Sequence, residues 1–92
     1  MSKAVKRTLL IVNEKGLHAR ASAKLVEVVE EHDATATVAK DGQSATGDSI
    51  MGLLMLAASK GTFIEVETRG AQAEELATAL AELVADKFGE GI

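Results

Sequence analysis

His18 is the residue of this chain whose surroundings most suggest chemistry. It follows Gly16-Leu17 and stands at the start of a helix-forming stretch, with Lys15, Arg20 and Lys24 close by. No acidic residue falls between Lys15 and Lys24, so three cations sit together in a chain of net charge −4. Cations in the first turn of a helix oppose its dipole and cost a few tenths of a kcal/mol each. Such a placement makes sense if the site holds an anion, because free N–H groups at a helix start already favour phosphate. A neutral imidazole is a good nucleophile, and an unperturbed histidine titrates near pH ~6.5. These features together suit a histidine that accepts and releases a phosphoryl group. The plainer alternative is a surface or capping histidine, the commoner role for one His before a helix. His32, at the far end of the same helix, suits the dipole there and is read as structural.

Composition narrows the rest. The 92 residues leave room for one domain. The absence of cysteine excludes disulfides, thiolate zinc sites, iron–sulfur clusters and cysteine nucleophiles. No metal site and no organic cofactor are expected. Aromatics amount to Phe63 and Phe88, too few for base-stacking platforms. The negative balance also disfavours nonspecific contact with phosphate backbones, so no nucleic-acid partner is expected. No stretch reaches the roughly 20 apolar residues that span a bilayer. The N-terminus, Met1 to Thr8, lacks the apolar region of a signal peptide. A soluble cytoplasmic protein with no membrane partner is the expectation.

The elements that must position His18 follow from periodicity. Val5 to Val12 is a short Leu/Ile/Val-rich strand, and Asn13-Glu14-Lys15-Gly16 a turn. From Ala19 to about Glu31, apolar residues recur at spacings of three and four: Ala21, Leu25, Val28 and Val29. Ala34–Lys40 and Gln43–Thr46 read as two strands joined at Asp41-Gly42, a dipeptide suited to a turn that needs positive φ. A second helix is expected over Ile50–Ser59, with Asp48 or Ser49 as N-cap and Gly61 in the left-handed C-terminal position. Thr62 to Thr68 alternates Ile64, Val66 and Thr68 against Glu65 and Glu67. A third helix should run from Gln72 to about Phe88, leaving Gly89-Glu90-Gly91-Ile92 as a frayed tail. The order β-α-β-β-α-β-α indicates an α+β open-faced sandwich. Its four-stranded antiparallel sheet carries three helices on one face and a polar surface on the other.

Gly16-Leu17-His18-Ala19-Arg20 resembles the active-site motif of the HPr family, the phosphocarrier proteins of the bacterial phosphotransferase system. Asp48-Ser49-Ile50-Met51-Gly52-Leu53-Leu54 resembles that family's second signature, and Ala58-Ser59-Lys60-Gly61 with the Ile64–Thr68 strand its fourth strand and lead-in. The similarity runs from Val5 to Phe88, and residues 1–92 are read as a single HPr-like domain. It implies that His18 is phosphorylated on Nδ1, that Arg20 meets the phosphoryl group, and that backbone amides of Ala19, Arg20 and Ala21 receive its oxygens. It implies that Ser49 is the serine phosphorylated by an HPr kinase/phosphorylase in some bacteria. Ile50, Met51 and Leu54 of the unusually apolar second helix are expected to form a partner-docking patch beside Leu17 and Arg20.

The implied partners are enzyme I as donor and an enzyme IIA protein as acceptor, and the implied state is a monomer. The protein would then be a phosphoryl carrier rather than a free-standing catalyst, in sugar uptake or nitrogen-related regulation. The Ser49–Gly61 run resembles the nitrogen-related branch somewhat more. A rival reading is a non-phosphorylated coregulator that docks through the second helix. It is disfavoured by the presence of both His18 and Arg20. One departure from the family pattern is Ala21, where proline is usual. Alanine is an excellent helix former, so the helix should persist with a less rigidly preset loop.

Overall fold

The computed structural model describes residues 4–92. Met1 to Lys3, the first part of the segment screened for a leader, lie outside the described residues. The elements are β1 (Ala4–Leu10), α1 (Ala19–Glu30), β2 (Thr35–Lys40), β3 (Gln43–Thr46), α2 (Ile50–Met55), β4 (Phe63–Arg69) and α3 (Ala73–Ala85). A 3₁₀ turn, Lys87–Gly89, follows α3. The strands form one antiparallel sheet in the order β1-β4-β2-β3. The expected α+β arrangement of four strands and three helices is therefore present.

Strand β4 lies in the interior of the sheet, between β1 and β2. Ile64, Val66 and Thr68 are buried beneath the helices, while Glu65 is exposed on the open face. Thr68, a polar residue at a fully buried position, donates its hydroxyl to the Ala73 carbonyl at 2.7 Å, which satisfies it and ties β4 to the start of α3. The open face carries Lys6 opposite Glu67. It is not uniformly polar, since the paired Leu10 and Phe63 are both exposed there. Asp41 and Gly42 both take positive φ, as the two-residue hairpin requires.

The core runs from Ile11 and Leu17 through Leu25, Val38, Leu53, Ile64 and Val66 to Leu76, Leu80 and Phe88. Helix α2 ends at Met55, shorter than the expected span to Ser59. Leu56 and Ala58 are both buried. Residues two apart on a helix point in nearly opposite directions, so the chain unwinds to bury both. The unwinding falls at Ala57, with φ +52°. Gly61 accordingly does not cap a helix; at φ +89° it donates its N–H to the Ile11 carbonyl at 2.8 Å.

The expected frayed tail is the largest correction. After α3, Lys87, Phe88 and Gly89 take φ of +56°, +53° and +76°. Non-glycine residues enter this region singly and at a cost of roughly 1–2 kcal/mol each. Phe88 is nevertheless fully buried, and its carbonyl accepts from Lys24 Nζ at 2.7 Å. The reversal carries the C-terminal residues back toward the loop before α1, where the Glu14 N–H donates to the Ile92 carbonyl at 3.2 Å.

Candidate functional site

The loop from Ile11 to His18 is pinned from both sides. The Ile11 N–H donates to the Thr62 carbonyl, and the Leu17 N–H to the Ala58 carbonyl at 2.8 Å. Gly16, at φ +66°, passes so close to the Ala58–Ser59 backbone that a Cβ there would lie 2.4 Å from the Ala58 oxygen. Asn13, fully buried, closes the turn by donating from Nδ2 to the Gly16 carbonyl at 2.9 Å. These bonds fix where α1 begins, and they make His18 its N-cap residue with extended backbone angles.

The His18 side chain makes no cap bond to the helix. Its Nε2 instead meets Glu90 Oε2 in a close contact. This leaves Nδ1 on the other edge of a ring that is 27% exposed. The second oxygen of Glu90 accepts from Asn13 Nδ2 at 2.9 Å. The Glu90 carboxyl is held below its ordinary value, chiefly by the Asn13 hydrogen bond, then by the bond to His18.

Around His18 lies an open depression lined by Lys15, Arg20, Lys24 and Glu90. Arg20 is exposed, and the first turn of α1 contains no acidic residue. Ser22 is the first residue of α1 whose N–H is spent within the helix, on the His18 carbonyl at 2.8 Å. The amides of Ala19, Arg20 and Ala21 are therefore the free ones of the first turn. Ala21 is buried and the helix forms from Ala19 without a proline. His32 donates from Nδ1 to the Val28 carbonyl, 2.7 Å away at the helix end.

Ser49 is the N-cap of α2, its Oγ accepting from the Gly52 N–H at 3.0 Å. On α2, Ile50 and Met51 are exposed, and Leu54 is half-buried. Leu17 is not part of an exposed patch. It is 4% exposed and packs in the core, because the bond from its N–H to Ala58 turns that segment inward. Met55, 74% exposed, extends the apolar surface instead. Asn13 and Glu90 were missed by sequence reasoning. Asn13 reads as an ordinary turn residue, and Glu90 lies between glycines, 72 positions from His18.

An open-faced α+β sandwich with a histidine at the N-cap of its first helix, ringed by cations and free amides, has the layout of a small phosphocarrier. The model of the family PTS-HPr, "PTS HPr component phosphorylation site", matches residues 5–86. The phosphocarrier protein HPr of Neisseria meningitidis serogroup A is 46% identical over 95% of this chain and 98% of that protein. The phosphocarrier protein NPr of Escherichia coli K12 is 41% identical over 94% and 97%. The crystal structure of HPr-C-His from Thermoanaerobacter tengcongensis superposes with a TM-score of 0.90 at 34% identity, covering 96% of this chain and 99% of that one. An HPr dimer from the same organism aligns with a TM-score of 0.74 over 89% of this chain and 94% of that one, at 35% identity. The chain belongs to the HPr family of phosphocarrier proteins of the phosphotransferase system.

Proposed function

We propose that His18 is the residue that carries the phosphoryl group, received from phosphorylated enzyme I and passed to a histidine of an enzyme IIA protein. The observation that carries this reading is the N-cap placement of His18, its Nε2 taken up by Glu90, at the start of a helix whose first-turn amides are free and whose Arg20 is exposed. Amide donors and a guanidinium suit the oxygens of a phosphoryl group. The site is an open depression, which suits a group handed between large partners. All 92 residues act as one carrier unit, a cytoplasmic monomer, whose phosphohistidine is an intermediate of the relay.

Docking would use Ile50, Met51, Leu54 and Met55 on α2. Methionines on such a surface adapt to several partners. Ser49 caps this helix, so its phosphorylation by a dedicated kinase would place about two negative charges beside the docking residues. Those charges would repel an acidic partner face while leaving the helix folded. Relatives from both branches match, and the 46% identity to an HPr against 41% to an NPr does not favour the nitrogen-related branch.

The test is incubation with enzyme I and phosphoenolpyruvate. An acid-labile, base-stable adduct should form on the wild type and vanish in His18→Ala. Equal labelling of the two would refute the assignment. With the kinase and ATP, an acid-stable adduct should form that Ser49→Ala lacks.

A further inference from the structure

We propose that Glu90, held by Asn13, is a positioning residue that keeps the His18 proton on Nε2 and so leaves the Nδ1 lone pair free to take the phosphoryl group. This rests on His18 being the phosphorylated residue. The geometry forms a chain of fixed donors and acceptors. The Gly16 carbonyl can only accept, so the amide of Asn13 must present Nδ2 to it. A flipped Asn13 would set Oδ1 against the Gly16 oxygen. The same Nδ2 donates to Glu90 Oε1, which leaves Oε2 for His18. An ionised carboxylate only accepts, so the ring nitrogen facing it must be the donor. The tautomer of a neutral imidazole is set by the bond its other nitrogen makes. Nε2–H therefore leaves Nδ1 unprotonated.

The backbone that delivers Glu90 is strained at the two non-glycine residues Lys87 and Phe88. Two consecutive non-glycine residues and a glycine hold left-handed angles immediately before it. Burial of Phe88 and the bond from Lys24 Nζ to the Phe88 carbonyl stabilise that reversal. Its outcome is a carboxylate, 13% exposed, seated on the ring. Strain that persists in this way clusters at functional sites.

The transfer balances without a proton leaving His18. The Nδ1 lone pair forms the bond to phosphorus, and the donor–phosphorus bond breaks with its electron pair departing on the donor. Nε2–H stays on Glu90. In the onward step the acceptor's lone pair takes phosphorus, and the Nδ1–P pair returns to the ring as the neutral Nε2–H tautomer.

Glu90→Gln and Glu90→Ala separate this role from a structural one. In Glu90→Gln the side-chain oxygen is claimed by Asn13 Nδ2, so the amide nitrogen faces His18 and donates to it. Nε2 then becomes the acceptor and the proton moves to Nδ1, blocking the nucleophile. Glu90→Ala imposes neither tautomer. We expect nitrogen-15 spectra of the neutral His18 ring to show Nε2–H in the wild type, a mixture in Glu90→Ala and Nδ1–H in Glu90→Gln. The rate of phosphoryl transfer from phosphorylated enzyme I should fall about tenfold in Glu90→Ala, the scale of losing an orienting partner of a histidine. It should fall further in Glu90→Gln. Identical ring spectra in the three proteins, or Glu90→Gln transferring as fast as the wild type, would overturn the proposal. If the wild type takes no phosphoryl group on His18, the carrier assignment fails. The ring spectra still decide whether Glu90 sets the tautomer.

Discussion

Replacing Gly16 by alanine tests how the loop before α1 is held, with Gly61→Ala as its control. Both glycines have positive φ, +66° and +89°, so both substitutions meet the conformational penalty of an L residue there, about 1 kcal/mol. They differ in space. A Cβ at Gly61 would meet nothing within 4 Å, whereas at Gly16 it would lie 2.4 Å from the Ala58 oxygen and 2.9 Å from Ser59 Cα. Carbon contacts are comfortable at about 3.5 Å, so the two backbones must separate by roughly 1 Å. Overpacking of that kind costs about 1–3 kcal/mol. The shift also stretches the 2.8 Å bond from the Leu17 N–H to the Ala58 carbonyl, worth about 1 kcal/mol more. The total is roughly 4 kcal/mol for Gly16→Ala against about 1 for Gly61→Ala. In a chain of this length that separates the midpoints by about 15 °C in thermal unfolding. Denaturant titration at 25 °C measures the difference directly. Equal destabilisation of the two variants would refute the claim that close backbone approach, rather than φ alone, requires glycine beside His18.

Other outcomes follow from the same contacts. Ser49→Ala should lose about 1 kcal/mol by removing the cap on the Gly52 N–H, while Ser49→Asp, still a capping residue, should retain most of it; urea titration distinguishes them. Phe88→Ala should cost about 3–5 kcal/mol and release the C-terminal turn, seen as faster amide exchange from 87 to 92. The Glu90 carboxyl is depressed below 4.5, so its contribution to holding the tail is fully present above that pH and is lost as pH falls through the lower folded value. Because the Asn13 bond is the largest cause, Asn13→Ala should move the NMR titration midpoint of Glu90 upward, and an unchanged midpoint would contradict it. Met51→Glu should weaken binding to enzyme I in calorimetry, with little change in stability at a position 71% exposed.

Much of this protein is decided by local sequence. The alternation Ile64-Glu65-Val66-Glu67-Thr68 specifies a strand with one buried face because side chains of a strand alternate. Asp41-Gly42 specifies the hairpin because both residues tolerate positive φ. Gly16-Leu17-His18-Ala19-Arg20 marks the histidine, and Ser49 marks the start of α2, since caps and turns depend on neighbours within four residues. Tertiary structure decided the rest. Leu17 reads as a docking residue in a linear motif, yet the bond from its N–H to Ala58, 41 positions away by numbering, turns it into the core. Helix α2 stops at Met55 because Leu56 and Ala58 must both be buried, a demand made by the packing around them and not by helix propensity. The tail Gly89-Glu90-Gly91-Ile92 has no periodicity and few apolar residues, so by itself it reads as frayed. Its order comes from partners distant in sequence: Lys24 on the Phe88 carbonyl, Asn13 on Glu90, and Glu14 on Ile92. The sequence by itself singled out His18 as the candidate, through the glycine turn before it and the cations around it. Only the folded chain decided what stands against its Nε2, because that contact joins residues that nothing but the closed sandwich brings together.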